Sequence, residues 1–185
     1  MQSLRFASVT DLLHSFFKSS QCSRQFATDG AVERLDNLVF VYGTLKNGEP
    51  NHRVMTDPTT GNHHFIGRGR TESKFPLVVA SKFNIPFCLY SPGQGMKICG
   101  EVYAVDDDKM RALDELENHP VFYQRKRERV LIDNGAVIEP WLYFLMKWEP
   151  SFLNESSECI EDYSSSGTHG RPYNAREQCQ SEKDL

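Results

Sequence analysis

The sequence predicts an α+β domain in which a strongly curved or barrel-like mixed sheet carries one main helix. Residues 37–148 contain several short apolar or alternating segments, which are typical of β-strands. Turn sequences lie between some of them, such as Pro-Gly at 92–93 and Asp-Asn-Gly at 133–135. One segment, residues 105–120 (VDDDKMRALDELENHP), has the spacing of an amphipathic helix instead.

Six segments of this region are predicted strands. The first, LVFVY, is a continuous apolar run, as expected for a strand buried on both faces. Pro86 makes the third either an edge strand or a strand that starts at the proline, because proline cannot donate to a sheet. In order, the six segments are residues 38–42, 75–80, 85–90, 97–105, 122–131 and 137–147.

The main helix is predicted at about residues 106–117. Aspartates at 106–108 supply an N-cap and an anionic first turn, both of which favour the start of a helix. At about 100° per residue, Met110, Leu113 and Leu116 span an arc of about 120°. We expect this apolar arc to face the sheet.

Glu117 falls inside the apolar arc, directly before the Asn-His-Pro sequence that ends the helix. Burial and the negative end of the helix dipole both disfavour a charged carboxylate there, so both raise its pKa. The alternative is that the helix has frayed and the carboxylate of Glu117 reaches water. If the carboxyl is buried, Glu117 is a candidate for proton transfer.

The composition excludes several classes of function. The 185 residues carry a net charge of −4, so charge gives no indication of nucleic-acid binding. No apolar run approaches the roughly 18 residues that a membrane-spanning helix needs. The five cysteines include no CxxC pair, which indicates neither a disulfide framework nor a zinc site. Such usage is typical of a reducing compartment.

Two regions without a clear strand pattern flank the predicted domain. Residues 1–36 are basic, serine-rich and partly amphipathic, which predicts either a disordered extension or a mitochondrial transit peptide. Residues 149–185 form a polar tail that we expect to lie on the domain or to be disordered. We expect a cytoplasmic protein, with a mitochondrial location as the alternative if residues 1–28 act as a transit peptide.

Several segments of the domain, taken in order, resemble one known family. They are VFVYGTLKNGEPNHRV at 39–54, FPLVVASKFNIPF at 75–87, GEVYAVDDDKMRALDELE at 100–117 and YQR at 123–125, with GTHGRPYNAREQ at 167–178 in the tail. Together they resemble the γ-glutamylcyclotransferase-like (AIG2-like) family. The likeness covers about residues 38–178.

The resemblance implies a fold, a reaction and a site. The family fold is a mixed β-barrel or curved sheet with one main helix and short peripheral helices. Such enzymes release 5-oxoproline and a free amine from γ-glutamylamines, notably γ-glutamyl-ε-lysine from transglutaminase cross-links, and we expect neither cofactor nor metal. Glu117 matches the catalytic proton acceptor and donor, Tyr42, Gly43, Thr44 and Leu45 match the substrate loop, and Tyr123, Arg125 and Tyr143 are further candidates for the pocket wall.

The chemistry of this reaction explains why such residues are needed. The α-amino group of the substrate attacks its own γ-carbonyl, and favourable intramolecular geometry is worth roughly 7–11 kcal/mol. One carboxylate can take a proton from that amine and give it to the leaving nitrogen. Transfer from an amine of pKa about 8 to an ordinary Glu of about 4.3 is uphill by roughly 5 kcal/mol, so a raised pKa at Glu117 helps. Backbone N–H groups near Gly43 can bind the substrate carboxylate and the developing oxyanion.

Two alternative functions stay open on sequence grounds. The first is a γ-glutamylcyclotransferase that acts on glutathione or γ-glutamyl-amino acids. γ-Glutamyl-amino acids carry a free α-carboxylate next to the scissile amide and require a cationic partner there, whereas ε-lysine places only methylenes at that position. The second is a small-molecule binding module without catalysis, which the acid at 117 disfavours. In each case we expect a monomer that binds a small molecule, and neither nucleic acid nor membrane.

Overall fold

The structure is a computed structural model that describes residues 34–167 and 169–175. Predictions for residues 1–33, including the transit peptide, and for residues 176–185 lie outside the described residues. Within the described part, no helix is long and apolar enough to cross a membrane. The elements in chain order are β1 (Asn37–Val41), α1 (His52–Thr56), a 3₁₀ turn (Pro58–Thr60), β2 (His63–Phe75), β3 (Leu77–Ala80), β4 (Ile85–Cys88), β5 (Met96–Val105), α2 (Asp107–Leu116), β6 (Tyr123–Arg127), β7 (Val130–Ile132), β8 (Val137–Ile138), β9 (Trp141–Leu145) and α3 (Pro150–Asn154).

The main sheet is mixed. Its strand order is β6-β9-β1-β5-β2-β7-β8, and β3 and β4 form a separate hairpin. β1 is an interior strand, because it pairs antiparallel with β5 and parallel with β9. The α+β fold class with a mixed sheet, one main helix and short peripheral helices is therefore confirmed.

From Leu38 to Val41, β1 is apolar because the sheet has a hydrophobic core on each face. Leu38 and Phe40 pack into one core, while Val39 and Val41 pack into the other. Neighbouring residues of a strand face opposite sides of the sheet, so a strand between two cores must be apolar at every position. This double burial fixes the position of the loop that follows β1.

β2 is the longest of the described strands, and local sequence does not predict it. Its sequence, HHFIGRGRTESKF, includes two glycines and several charged residues. It forms because β5 pairs along most of its length and β7 pairs with residues 69–71. Shifts in the β5 register at 65–67 and 70–74 are irregularities of the kind that bend a strand. Partners so distant in sequence leave no local signal.

Three predicted strands are divided in the structure. The segment 75–80 is interrupted at Pro76, where β2 ends and β3 begins. The segment 122–131 becomes β6 and β7, because β6 pairs with β9 whereas β7 pairs with β2 and β8. The segment 137–147 becomes β8 and β9, separated by Glu-Pro at 139–140. The prolines are consistent with these breaks, since they cannot donate to a ladder.

The main helix, α2, has the predicted bounds and caps. The Asp106 carboxylate accepts a hydrogen bond from the backbone N–H of Lys109 at 2.7 Å, and the C-cap is Glu117. Met110 and Leu113 are buried, as predicted. The expectation for Leu116 was wrong: its side chain is 44% exposed, because the last turn of α2 extends past the core to the edge of a cavity.

The segment that follows β9 packs along β3. The N–H of Ser157 donates to the carbonyl of Val79 at 2.9 Å, and the N–H of Ile160 donates to that of Leu77 at 2.8 Å. Tyr163, further along, is 1% exposed. This C-terminal segment therefore covers the outer side of β3 and adds an aromatic ring to the core.

Candidate active site

A cavity of about 800 Å³ opens where β1, α2 and the β3–β4 turn end near one another. The residues that line it come from parts of the chain that are far apart in sequence. They include the four residues of the predicted substrate loop, the predicted catalytic acid and two of the three predicted wall residues: Tyr42, Gly43, Thr44, Leu45, Glu117, Tyr123 and Tyr143.

The loop after β1 directs unused backbone donors at this cavity. Its carbonyl groups are occupied: Gly43 accepts from the N–H of Lys46 at 3.1 Å, and Thr44 accepts from the N–H of Asn51 at 2.9 Å. The Asn51 side chain also donates to the Thr44 hydroxyl at 3.0 Å. Among the described residues, the N–H groups of Gly43, Thr44 and Leu45 have no acceptor. Three consecutive free N–H groups form a natural anion-binding surface.

Contacts outside the cavity hold this loop in place. The ammonium of Lys46 donates to the carbonyl of Tyr163 at 2.6 Å. The N–H of Asn47 donates to the carboxylate of Glu101 at 2.8 Å, and the hydroxyl of Tyr103 donates to the same oxygen at 2.9 Å. Because these bonds fix residues 46 and 47, the free N–H groups before them are held ready for a ligand.

Glycine is required at position 43 for steric reasons. A Cβ built on Gly43 would lie 2.6 Å from Cγ of Pro86 in β4, closer than two such carbon atoms can approach. The loop can therefore pass this close to β4 only without a side chain at residue 43.

Glu117 places a carboxyl without a hydrogen-bond donor in the same cavity. Its backbone N–H closes the last turn of α2 by donating to the carbonyl of Leu113 at 3.0 Å. No donor or cation among the residues described bonds to its side chain, which lines the cavity. Burial raises the pKa of Glu117 to about 7. The increase in pKa expected from the sequence is thus present, and desolvation is its cause.

Tyrosine side chains surround this carboxyl. The hydroxyl of Tyr42 donates to the carbonyl of Tyr143 at 2.6 Å, and the hydroxyl of Tyr143 donates to Asp114 at 2.6 Å. Burial is the largest cause that raises the pKa values of Tyr42, Tyr123 and Tyr143, and the charge of Glu117 adds to all three. These phenols therefore stay protonated at neutral pH and cannot serve as bases.

Arg125, the remaining wall candidate, does not line the cavity. Its guanidinium donates to both oxygens of Asp114, at 2.9 and 3.1 Å, and lies 4.8 Å from the ring centroid of Trp141. Since Asp114 also accepts from Tyr143, Arg125 supports the wall from behind. The structure does not place Arg125 on the cavity surface, because Asp114 of α2 and Trp141 of the neighbouring strand contact its guanidinium.

The structure adds cavity residues that sequence reasoning missed. Tyr173 enters from the C-terminal segment, which is tied to the β3–β4 turn: the N–H of Asn174 donates to the carbonyl of Phe83 at 3.0 Å, and Asn84 donates to the carbonyl of Pro172 at 2.8 Å. Arg53 lies within the family-like segment 39–54, and Tyr173 and Ala175 lie within the family-like segment 167–178. Membership of these segments was the sequence signal that could have identified them as cavity residues. The added lining residues are Phe40, Val41, Pro50, Asn51, Arg53, Phe83, Ile85, Pro86, Leu116, Asn118, Phe122, Tyr173 and Ala175.

Within residues 34–167 and 169–175, no group of three or more His, Cys, Asp or Glu side chains is arranged to hold a metal ion. The described lining residues of the cavity offer one carboxyl, one guanidinium, phenols, amides and backbone N–H groups. Such a set is suited to binding a carboxylate or an oxyanion and to moving a proton.

Comparisons with known proteins show the family of this chain. Residues 39–165 match the family described as Gamma-glutamyl cyclotransferase, AIG2-like. The chain is 44% identical to a gamma-glutamylaminecyclotransferase of Bos taurus over 81% of this chain and 88% of that protein. It is 42% identical to the gamma-glutamylaminecyclotransferase of Mus musculus over 75% of this chain and 97% of the relative. The crystal structure of an AIG2-like protein from Mus musculus superposes with a TM-score of 0.71, at 42% identity, over 76% of this chain and 97% of that chain.

Proposed function

Since this chain belongs to the gamma-glutamyl cyclotransferase, AIG2-like, family, we propose that it is an enzyme that converts γ-glutamylamines, such as γ-glutamyl-ε-lysine, to 5-oxoproline and free amine. One observation carries the proposal. Glu117, whose desolvated carboxyl has no donor among the described residues, lines the same cavity as the N–H groups of residues 43–45, which have no acceptor in that part of the chain. The first can move protons, and the second can hold negative charge.

The loop after β1 binds the glutamyl half. The free N–H groups of residues 43–45 bind the α-carboxylate of the substrate and stabilise the oxyanion that develops on the γ-carbonyl. The substrate is thereby folded so that its own α-amino nitrogen lies next to the γ-carbon. Because nucleophile and electrophile belong to one bound molecule, orientation replaces a protein nucleophile.

Glu117 performs both proton transfers. As the α-amino nitrogen bonds to the γ-carbon, the carboxylate takes its proton; as the bond to the leaving nitrogen breaks, the same carboxyl returns that proton to the amine. An amine of pKa about 8 and an acid of pKa about 7 differ by roughly 1.4 kcal/mol, against roughly 5 kcal/mol for an ordinary Glu. Burial of Glu117 thus lowers the cost of the first transfer.

The substrate and the free thiols suggest where the enzyme acts. γ-Glutamyl-ε-lysine is the compound that remains when proteins cross-linked by transglutaminase are degraded, so the enzyme takes part in the breakdown of these cross-links. Cys88, Cys99 and Cys159 are unpaired, which fits the cytosol. Sequencing the N-terminus of the protein isolated from cells tests the alternative, because a mitochondrial enzyme would lack residues 1–28.

The decisive experiment compares two substrates of the purified protein. We expect 5-oxoproline from γ-glutamyl-ε-lysine and little or none from γ-glutamylalanine. The alanine compound carries its carboxylate directly beside the scissile amide, and therefore beside Glu117. The one cation among the described lining residues, Arg53, is an exposed side chain on α1 and not on the elements that carry Glu117 and the tyrosines. Turnover of γ-glutamylalanine alone would replace the proposal with a γ-glutamyl-amino-acid cyclotransferase, and no turnover of either would indicate a binding module.

A further inference from the structure

Arg53 is a cation without a partner at the edge of the active-site cavity. It belongs to α1, its side chain is exposed, and it lines the cavity. Its carbonyl accepts from the N–H of Asp57 at 2.9 Å and from the Thr56 hydroxyl at 3.4 Å. In the described part of the chain, no acid or hydrogen-bond acceptor contacts its guanidinium.

The charge of the cavity favours an anionic ligand at Arg53. The charged side chains among its described lining residues are Arg53 and Glu117. Because the pKa of Glu117 is about 7, a large fraction of its carboxyl is neutral at physiological pH, whereas a guanidinium is always charged. The charge of Glu117 therefore offsets that of Arg53 only in part, and none of the described residues pairs with the guanidinium.

Burial divides the cavity into an inner end and a mouth. At the inner end, Tyr42, Tyr123 and Tyr143 are buried around the carboxyl of Glu117. The mouth is formed by residues with exposed side chains: Arg53, Leu116, Asn118 and Phe122.

The reaction sets the orientation of the substrate between these ends. The α-amino nitrogen and the γ-carbonyl must lie next to Glu117 for proton transfer, so the glutamyl half occupies the inner end. The loop N–H groups bind its carboxylate there and leave Arg53 unused. The leaving amine must then extend towards the mouth, where Leu116 and Phe122 provide apolar surface for a methylene chain.

We propose that Arg53 binds a carboxylate carried by the leaving amine, at the far end of its methylene chain. This inference rests on the function proposed above and names the class of leaving amine: amines with a carboxylate at the far end of the chain. Lysine, which leaves through its ε-amino group, belongs to this class. The planar guanidinium can donate two parallel hydrogen bonds to the carboxylate. Amines that lack this group lose the pair and are poorer substrates.

The test compares two substrates that differ by one group. γ-Glutamyl-ε-lysine and γ-glutamylcadaverine have the same methylene chain and terminal ammonium, but only the first has the carboxylate. In Arg53→Gln we expect kcat/KM for the lysine compound to fall about 10-fold, mainly through KM, the effect of one lost charge-assisted pair. The cadaverine compound should change less than about 2-fold. Arg53→Lys keeps the charge and should restore part of the difference.

Arg68→Gln is the matched control. Arg68 is also an exposed arginine whose guanidinium has no partner among the residues described, but it lines a different cavity. Its removal should leave the ratio of the two kcat/KM values unchanged. If Arg53→Gln lowers kcat/KM equally for both substrates, Arg53 contacts the glutamyl half. If kcat/KM changes for neither, Arg53 does not contact the substrate. Both results overturn the inference while leaving the proposed function intact. A wild-type protein that turns over neither compound overturns both.

Discussion

Glu101 and Glu117 are two acids on either side of the same loop, residues 42–47; Glu101 is buried and Glu117 is partly buried. Glu101 is 6% exposed, and its carboxylate accepts from the N–H of Asn47 and the hydroxyl of Tyr103. Glu117 lines the opposite cavity, and no donor in the described ranges bonds to its carboxyl. The first acid has its hydrogen bonds inside the protein. The second has none from the residues that the structure describes.

The two cavities differ in the same way. The cavity next to Glu101 has about 700 Å³ and many charged residues, but several are already paired: Lys46 with Asp162 and with the carbonyl of Tyr163, for example. The cavity next to Glu117 has two charged side chains among its described lining residues, Arg53 and Glu117, and neither is paired with another described residue. The number of charged residues therefore does not identify a functional site. Groups that line a cavity without a protein partner are the better candidates, because they remain available to a ligand.

The largest expected effect is the loss of catalysis when the unpaired acid is removed. In Glu117→Gln, we expect kcat to fall about 10⁴-fold, because the amide can neither accept nor return the proton. Binding of γ-glutamyl-ε-lysine, measured by calorimetry, should persist. Glu115→Gln, an exposed position on the same helix, is the control and should keep wild-type activity. Wild-type turnover in Glu117→Gln would show that this acid has no catalytic role.

Glu101, the acid with hydrogen bonds inside the protein, should contribute to stability and not to catalysis. In Glu101→Leu, the N–H of Asn47 and the hydroxyl of Tyr103 lose their acceptor, so we expect the free energy of unfolding to fall by about 4 kcal/mol. Denaturant titration measures this change. Glu101→Gln retains one acceptor oxygen and should lose less. A Glu101→Leu protein as stable as wild type would remove the contrast between the two acids.

The pH dependence of stability should distinguish Glu117 from an ordinary surface acid. The pKa of Glu117 is raised in the folded protein, to about 7 from about 4.5, so the folded state holds its proton more tightly than the unfolded state. Wild type should therefore lose up to about 3 kcal/mol of stability relative to Glu117→Gln as pH rises from 4.5 to 7, and no more above pH 7.

Unfolding titrations of both proteins at several pH values measure this difference. The same ionisation should make kcat/KM of wild type increase with pH up to about 7, because the base must be deprotonated. If the stability difference between wild type and Glu117→Gln stays constant from pH 4.5 to 7, the pKa of Glu117 is not raised in the folded protein. Its carboxyl would then be solvated.

The smallest expected effect on stability and activity is that of removing the Tyr143 hydroxyl, which bonds to Asp114 behind the cavity wall. Tyr143→Phe removes the hydrogen bond to Asp114, but Arg125 still donates to both oxygens of that carboxylate. We expect the free energy of unfolding to fall by about 1 kcal/mol, with kcat changed only a few-fold. Thermal unfolding and 5-oxoproline assays measure both. A loss of activity comparable with Glu117→Gln would give the phenol of Tyr143 a role in proton transfer.

Local sequence predicts the elements whose stability is local. The aspartates that cap α2, the end of that helix at Glu117 and the apolar run of β1 all carry their signal within a few residues. β2 does not, because its strand geometry comes from pairing with β5 and β7. Leu116 was misplaced for a related reason: helical periodicity gives the direction of a side chain and not where the partner surface ends.

The sequence by itself determined the fold class, the main helix and the pairing of a Tyr-Gly-Thr-Leu loop with one acid at a helix end. Only the tertiary structure decided that the N–H groups of residues 43–45 are free, that Arg125 lies behind the wall, and that Arg53 and Tyr173 line the cavity. The physical reason is that a motif specifies which groups are present, whereas burial and hydrogen-bond satisfaction depend on neighbours that distant parts of the chain supply.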